Sequence, residues 1–216
     1  MPRPINQWIV LIPGFMQTMG QSHQGVPALW HQLWDKFKDR GICVVQHPWN
    51  TDWSDVAETI FRCGMNGQRP RIMLVAYSWG VGFGVTNLLR ELRYRDLSVE
   101  AAVFSDGVYH LGGPLAHRWG VAQVAAYLTR PWGRPQIAMP DNIVEPHWFV
   151  QDRRNFRLHE RMSWLRGHEL VWESNGEALP NRIEVVGTLH RWMDEYPKFK
   201  AKVIDVAEQM FGPMES

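Results

Sequence analysis

Short apolar, β-branched runs alternate with longer stretches of helical spacing along most of the 216 residues. No other feature of the sequence limits the fold as strongly. Strand and helix in repeated alternation close most simply as a parallel sheet covered by helices on both faces. Trp8-Ile9-Val10-Leu11-Ile12 is the first such run and stops at Pro13-Gly14. Leu29, Trp30, Leu33, Trp34 and Phe37 follow at three- and four-residue spacing, a helix that Gly41 ends. Cys43-Val44-Val45-Gln46 is the second strand, closed by Pro48, and 52–63 is a second helix with Asp52 or Ser54 as N-cap.

Ile72-Met73-Leu74-Val75-Ala76 is apolar throughout, as a central strand covered on both faces must be. A helix starts directly after Ser78 and runs to about Arg93; Gly80, Gly82 and Gly84 in its first turns suit close packing on a sheet. Ala101-Ala102-Val103-Phe104-Ser105 is a fourth strand, and Trp148-Phe149-Val150 and Ile183-Glu184-Val185-Val186 are the last two. The final helix carries Phe199, Val203, Val206, Ala207 and Met210 on one face, with Pro197 in its first turn. Segment 109–139, rich in Gly and Pro around one helix, reads as a small cap-like insertion. With no repeat, low-complexity tract or linker, 1–216 is expected to be one α/β domain.

Composition narrows the partners. Hydrophobic residues are 45% and charged residues 21%, which is globular, and the formal net charge of +1 gives no reason to expect nucleic acid. The Arg-rich stretch Arg153, Arg154, Arg157 and Arg161 is interrupted by Asp152 and Glu160 and reads as a solvated face. No apolar segment approaches the roughly 20 residues of a membrane helix, so no stable membrane insertion is expected. Met1-Pro2-Arg3-Pro4 leads straight into the first strand, and a cytoplasmic location is the expectation. Of the two cysteines, Cys43 opens an apolar run and reads as a buried strand thiol. Twelve tryptophans supply core, with some left to line an apolar pocket.

The chemistry sits at Ala76-Tyr77-Ser78-Trp79-Gly80, which joins the most apolar strand directly to the glycine-opened helix. A nucleophile elbow needs this context: a serine on a strained strand-to-helix turn with small residues two positions to either side. The full pattern is G-x-S-x-G, and Ala76 in the first place departs from it by one methyl. The helix start aims unsatisfied N–H groups at the serine, and the Trp79 N–H is one expected oxyanion donor. A general base must lie after the last strand, at the carboxyl edge of the sheet. Of nine histidines, His190 stands there; His159 and His168 lie in a polar stretch and the other six earlier. His168-Glu169 and His159-Glu160 do not extend to a zinc helix, since Trp172 and Ser163 occupy the place of the second histidine. No metal and no cofactor is expected.

With Ile12-Pro13-Gly14-Phe15 and Leu189-His190-Arg191-Trp192-Met193 added, the sequence resembles the α/β-hydrolase superfamily over nearly its whole length, most nearly its lipase- and esterase-like members. The resemblance implies the α/β-hydrolase fold, Ser78 as nucleophile, His190 as base and an acid between them in chain order. It also implies a second oxyanion donor in the loop after the first strand, at the N–H of Phe15 or of Met16. Two acids fit. Asp106 follows the clean strand Val103-Phe104-Ser105 and precedes Gly107, whereas Asp152 is flanked by Arg153 and Arg154, which would draw it outward. Asp106 is favoured and Asp152 is the alternative.

The expected function is serine hydrolysis of a carboxylic ester or related acyl bond in a small-molecule substrate, through a Ser-His-Asp triad and an acyl-enzyme. The aromatic residues Phe15, Tyr77 and Trp79 point to an apolar or aromatic acyl group, with Met16 and Tyr77 as substrate contacts. Two further readings stay open: an acyltransferase or perhydrolase using the same triad, and a non-catalytic binding protein on an α/β-hydrolase scaffold.

Overall fold

The computed structural model describes residues 6–14, 24–64, 68–108, 136–151, 168–188 and 192–212. Strands are β1 Gln7–Ile12, β2 Ile42–Gln46, β3 Arg71–Tyr77, β4 Val99–Ser105, β5 Gln136–Met139, β6 Ile143–Gln151, β7 Glu169–Trp172 and β8 Arg182–Val185. Helices are α1 Gly25–Phe37, α2 Trp53–Gly64, α3 Thr86–Tyr94 and α4 Pro197–Phe211. Six strands form one sheet in the order β2-β1-β3-β4-β6-β8, with every neighbouring pair parallel. The α/β class with a parallel central sheet is therefore the fold found.

The alternation of side chains along each strand divides the core into two layers. Trp8, Val10, Ile12, Leu74 and Ala76 face α2 and α3, whose Val56, Ile60, Leu88 and Leu92 cover them. Ile9, Leu11, Met73, Val75 and Tyr77 face the opposite way, onto Leu29, Leu33 and Phe37 of α1 and Phe199, Val203 and Val206 of α4. Both layers are built from buried apolar side chains, and β1 and β3 carry no charged residue in their central positions. Asp52 caps α2: its Oδ1 accepts the N–H of Ser54 at 3.0 Å and of Asp55 at 3.5 Å.

Four elements, β5, β6, β7 and the opening of the helix after Ser78, differ from the sequence reading. The last four residues of the cap-like segment are not loop. They form β5, which pairs in parallel with β7 in a second, two-stranded sheet. Ile137, Met139 and Leu170 of this pair bury against the α2–α3 side of the core, a stronger pull than the Gly and Pro content upstream. β6 is also longer than its apolar centre, because Pro146 is tolerated inside it. The N–H of Trp148 turns toward β8. Two residues earlier the same edge faces a place where β8 has not begun, so the donor that proline lacks has no ladder partner to lose. The helix after Ser78 opens with π-helical geometry over Gly80–Val85 before α3 becomes regular. Cys43 and Cys63 are both free and half-buried.

Among the described residues, no helix is long and apolar enough to cross a membrane, and no cluster of His, Cys, Asp and Glu is placed to hold a metal ion.

Candidate active site

β3 ends at Tyr77, and Ser78 takes φ 56°, a left-handed conformation that costs a non-glycine residue about 1–2 kcal/mol. The surroundings hold it there. The Ser78 N–H donates to the Ser105 carbonyl at 3.1 Å, tying the turn to the end of β4. The Ser78 carbonyl accepts the N–H groups of Val81 at 3.1 Å, Gly82 at 3.2 Å and Val108 at 3.1 Å. A serine that leaves a central strand in this strained geometry, with a helix starting at the next residue, has the backbone geometry that a nucleophile elbow requires. Sheet and elbow together are of the α/β-hydrolase type.

Two glycines allow the close packing around this turn. A Cβ on Gly80 would lie 2.1 Å from the carbonyl oxygen of Ile12 and 2.8 Å from that of Pro13, so the elbow helix rests directly on the backbone at the end of β1. A Cβ on Gly14 would lie 2.9 Å from the Ser78 Cβ and 3.0 Å from the Tyr77 ring. The loop after β1 therefore begins against the serine itself. Phe15 and Met16 lie outside the described residues.

Trp79 follows the serine in right-handed helical geometry. Its ring meets Trp49 edge to face at 5.2 Å between centroids, and Trp49 meets Phe83 in the same way at 5.5 Å. The indole N–H of Trp53 donates to the Trp49 carbonyl at 3.2 Å and fixes that loop. An aromatic wall thus stands on the β2 side of the serine.

On the other side is Asp106, 1% exposed and itself left-handed at φ 44°. Tyr77 and Ser105 are register partners in β3 and β4, so Ser78 and Asp106 are the next residues on adjacent chains. The Asp106 N–H donates to the Phe149 carbonyl at 2.7 Å, and its Oδ1 accepts the Gln151 N–H at 3.2 Å. These bonds hold the carboxylate at the carboxyl edge, between β4 and β6. Asp152 and His190 lie outside the described residues. The chain just beyond His190 is fastened here, since the Ser105 hydroxyl donates to the Met193 carbonyl at 2.9 Å.

Tyr77 places its ring in the α1–α4 layer, beneath Gly14. Burial, then the nearby carboxylates of Asp194 and Asp106, push its hydroxyl far above the ordinary tyrosine value, so it stays a neutral phenol. Sequence reasoning missed two buried groups at this edge. Asp194 is 2% exposed and follows Met193. His168 is 5% exposed, and its backbone N–H donates to the Gly107 carbonyl at 2.6 Å, one residue past Asp106. The spacing of Asp194, four residues after His190, was the only available signal for it. Nothing local marks His168, because the β5–β7 pair brings it in.

A scan against protein-family models and a search of curated proteins each return no match. Among solved structures, the chain is similar to a Pyrobaculum calidifontis esterase, with 12% identity, 95% of this chain and 76% of that one covered, and a TM-score of 0.49. It is similar to the SrfTE thioesterase domain that cyclises the lipopeptide antibiotic surfactin, at 12% identity, 96% and 92% coverage and a TM-score of 0.45. It is also similar to RedJ, a thioesterase of the prodiginine pathway in Streptomyces coelicolor, at 14% identity, 94% and 90% coverage and a TM-score of 0.43.

Proposed function

We propose that this protein is a serine hydrolase that cleaves a carboxylic ester or related acyl bond through Ser78, His190 and Asp106. The observation that carries the reading is the left-handed Ser78 between a buried strand and a helix start, with buried Asp106 at the end of the adjacent strand. A strained serine of this kind persists only where its surroundings over-determine it, and such strain concentrates at functional sites.

His190 takes the Ser78 proton as Oγ attacks the acyl carbon, and the N–H groups of Trp79 and Phe15 hold the oxyanion that forms. The tetrahedral species collapses, His190 protonates the leaving alcohol or thiol, and an acyl-serine remains. Water attacks it with His190 again as base, which releases the acid and restores the serine. Asp106 holds the imidazole tautomer and stabilises the imidazolium. Support for His190 comes from chain reach. It stands three positions before Met193, which the Ser105 hydroxyl fastens beside Asp106, and three steps of chain span at most about 10 Å. The wall of Trp49, Trp79 and Phe83 favours an apolar or aromatic acyl group.

The test is hydrolysis of a chain-length series of p-nitrophenyl acyl esters by wild type, Ser78→Ala and His190→Ala, with a fluorophosphonate label alongside. Turnover and labelling are expected in the wild type and lost in Ser78→Ala. Folded wild-type protein that neither turns over nor takes the label would refute the reading in favour of a ligand-binding protein.

A further inference from the structure

The aromatic wall beside Ser78 has a definite shape as well as an apolar character. Trp79 and Phe83 stand four residues apart, on one side of the helix that follows the serine. Trp49 meets both from the loop after β2, at interplanar angles of 88° and 84°. Trp79 is buried, whereas Trp49 and Phe83 are half-exposed and keep ring surface free for an incoming group. Two rings in edge-to-face contact make a right-angled corner, and this one is held on both sides. The Trp53 indole N–H fixes the Trp49 carbonyl at 3.2 Å, and the Thr51 N–H and hydroxyl close the same turn on the Pro48 carbonyl at 3.1 and 2.8 Å. On the helix, the Phe83 carbonyl accepts the Asn87 amide at 2.9 Å and the Thr86 hydroxyl at 3.1 Å. None of the three rings carries charge, and burial keeps the nearby His47 imidazole, edge to face with Trp53 at 6.1 Å, in its neutral form.

The geometry points to an aryl-terminated acyl group as the substrate class, its ring seated in the corner of Trp49 and Phe83 while its carbonyl carbon meets Ser78. This rests on the serine-hydrolase reading given above and narrows it from apolar to aromatic. A flat ring in a right-angled corner stacks on one wall and meets the other edge to face, contacts worth more than the area they bury. A saturated chain or ring gains the area alone. Phe83 lies five residues past Ser78, about 7.5 Å of helix rise, and Trp79 only one. Ring and carbonyl carbon are therefore joined through a short spacer, about two carbons long, rather than bonded directly. Trp49 and Phe83 are the residues that set this specificity, and a pre-fixed corner spends little ordering entropy on the ring it receives.

The test compares methyl 3-phenylpropionate with methyl 3-cyclohexylpropionate, which has the same carbon skeleton without the π-system. A methyl leaving group keeps the corner for the acyl side. Hydrolysis is followed as acid release at constant pH in wild type, Trp49→Leu and Phe83→Leu, with thermal unfolding of each. Wild type should show a kcat/KM for the phenyl ester roughly 2- to 12-fold above that for the cyclohexyl ester, although the cyclohexyl group is the more apolar. Leucine keeps the site apolar but removes a wall of the corner, so the two esters should become equivalent in either variant. A merely structural role would slow both esters alike and leave their ratio unmoved. Should Trp49→Leu fail to fold, Phe83→Leu decides. A wild-type preference that is absent or reversed overturns the proposal, as does a ratio unchanged in a folded variant. Binding of the same two esters to Ser78→Ala, read by ligand-observed NMR, separates this outcome from failure of the serine-hydrolase reading. Wild type that neither hydrolyses nor takes the fluorophosphonate label, with the phenyl ester still bound more tightly and that preference lost on adding Trp49→Leu, would overturn the hydrolase reading and uphold the aromatic site. Equal binding of the two esters would overturn the site itself.

Discussion

Gly80→Ala is the most severe small change this fold can be given near its site. The added Cβ would stand 2.1 Å from the Ile12 carbonyl oxygen and 2.8 Å from that of Pro13. Carbon and carbonyl oxygen pack at about 3.3 Å or more, so roughly 1 Å of separation must be created. Neither partner is a side chain that can turn away. Either the loop after β1 lifts, carrying Gly14 off its 2.9 Å approach to Ser78, or the elbow helix withdraws and breaks the bonds from Val81 and Gly82 to the Ser78 carbonyl. Overpacking of this kind costs about 3 kcal/mol. In a domain of this size that lowers Tm by roughly 6–12 °C.

The loss in rate should be larger than the loss in stability suggests. Both routes of relief move the backbone that packs against Ser78, and under the proposed mechanism about 1 Å of misplacement there costs on the order of 100-fold. Gly84→Ala is the comparison. Its Cβ meets Ile12 Cγ2 at 2.7 Å and Trp53 Cζ2 at 3.1 Å, both side-chain atoms. Helix propensity also returns up to about 1 kcal/mol, so its net effect should be near zero and its labelling rate near wild type. Thermal unfolding and fluorophosphonate labelling at 25 °C read both quantities. A Gly80→Ala protein with wild-type Tm and labelling rate, or one no different from Gly84→Ala, would refute the packing argument.

Three further outcomes follow from single residues. Ser78→Gly should be more stable than Ser78→Ala by about 1 kcal/mol in denaturant titration, because only glycine accepts φ 56° without cost, and neither variant should hydrolyse ester. Asp106→Asn should fold normally, since Asn tolerates φ 44° and its Oδ1 still accepts the Gln151 N–H, yet labelling should fall about 10³- to 10⁴-fold. Burial holds the His47 imidazole below the ordinary value of 6.5. The unfolded chain then binds the proton more readily, so this residue's contribution to stability is intact above that pH and declines as pH falls through and below it. His47→Phe should flatten this part of the stability–pH curve, and an unchanged slope would sink the assignment.

The parts of the fold legible in the sequence are those where a residue's local neighbours already determine its surroundings. β3 could be read because every residue from Ile72 to Ala76 is apolar, and the turn at Ser78 because a glycine-rich helix follows it without a loop. The place of Asp106 at the sheet edge could be read because it directly follows the strand beside β3. β7 could not, since polar Glu169 opens it directly after polar His168 and its partner β5 lies about thirty residues upstream. The first half of β6 was hidden by Pro146, whose missing donor is harmless only given where β8 begins. Asp194 and His168 belong to the same class. Each is polar, and each lies beside a long-range hydrogen bond that local sequence does not reveal, the Ser105 hydroxyl to the Met193 carbonyl in one case and the His168 N–H to the Gly107 carbonyl in the other.

Ser78 and Asp106 share a further property that sets them apart from the rest of the sheet. Both are non-glycine residues in the left-handed region, and both directly follow the last residue of a central strand. Continued extension would send Ser78 into the α2–α3 layer opposite Tyr77, where a hydroxyl would lie among Val81, Val85 and Ile12. The reversal of φ takes the residue out of that alternation at the edge of the sheet. Two such turns side by side cost about 2–4 kcal/mol together; two of the bonds that oppose this cost join the turns to each other, Ser78 N–H to Ser105 and Val108 N–H to Ser78, and a third ties Asp106 N–H to Phe149 of β6. Each turn is therefore held partly by the other's strand. Strain at Ser78 and at Asp106 is one structural unit, so relief at one position should loosen the other, and the stability gained by Ser78→Gly should shrink when Asp106→Gly is made in the same chain.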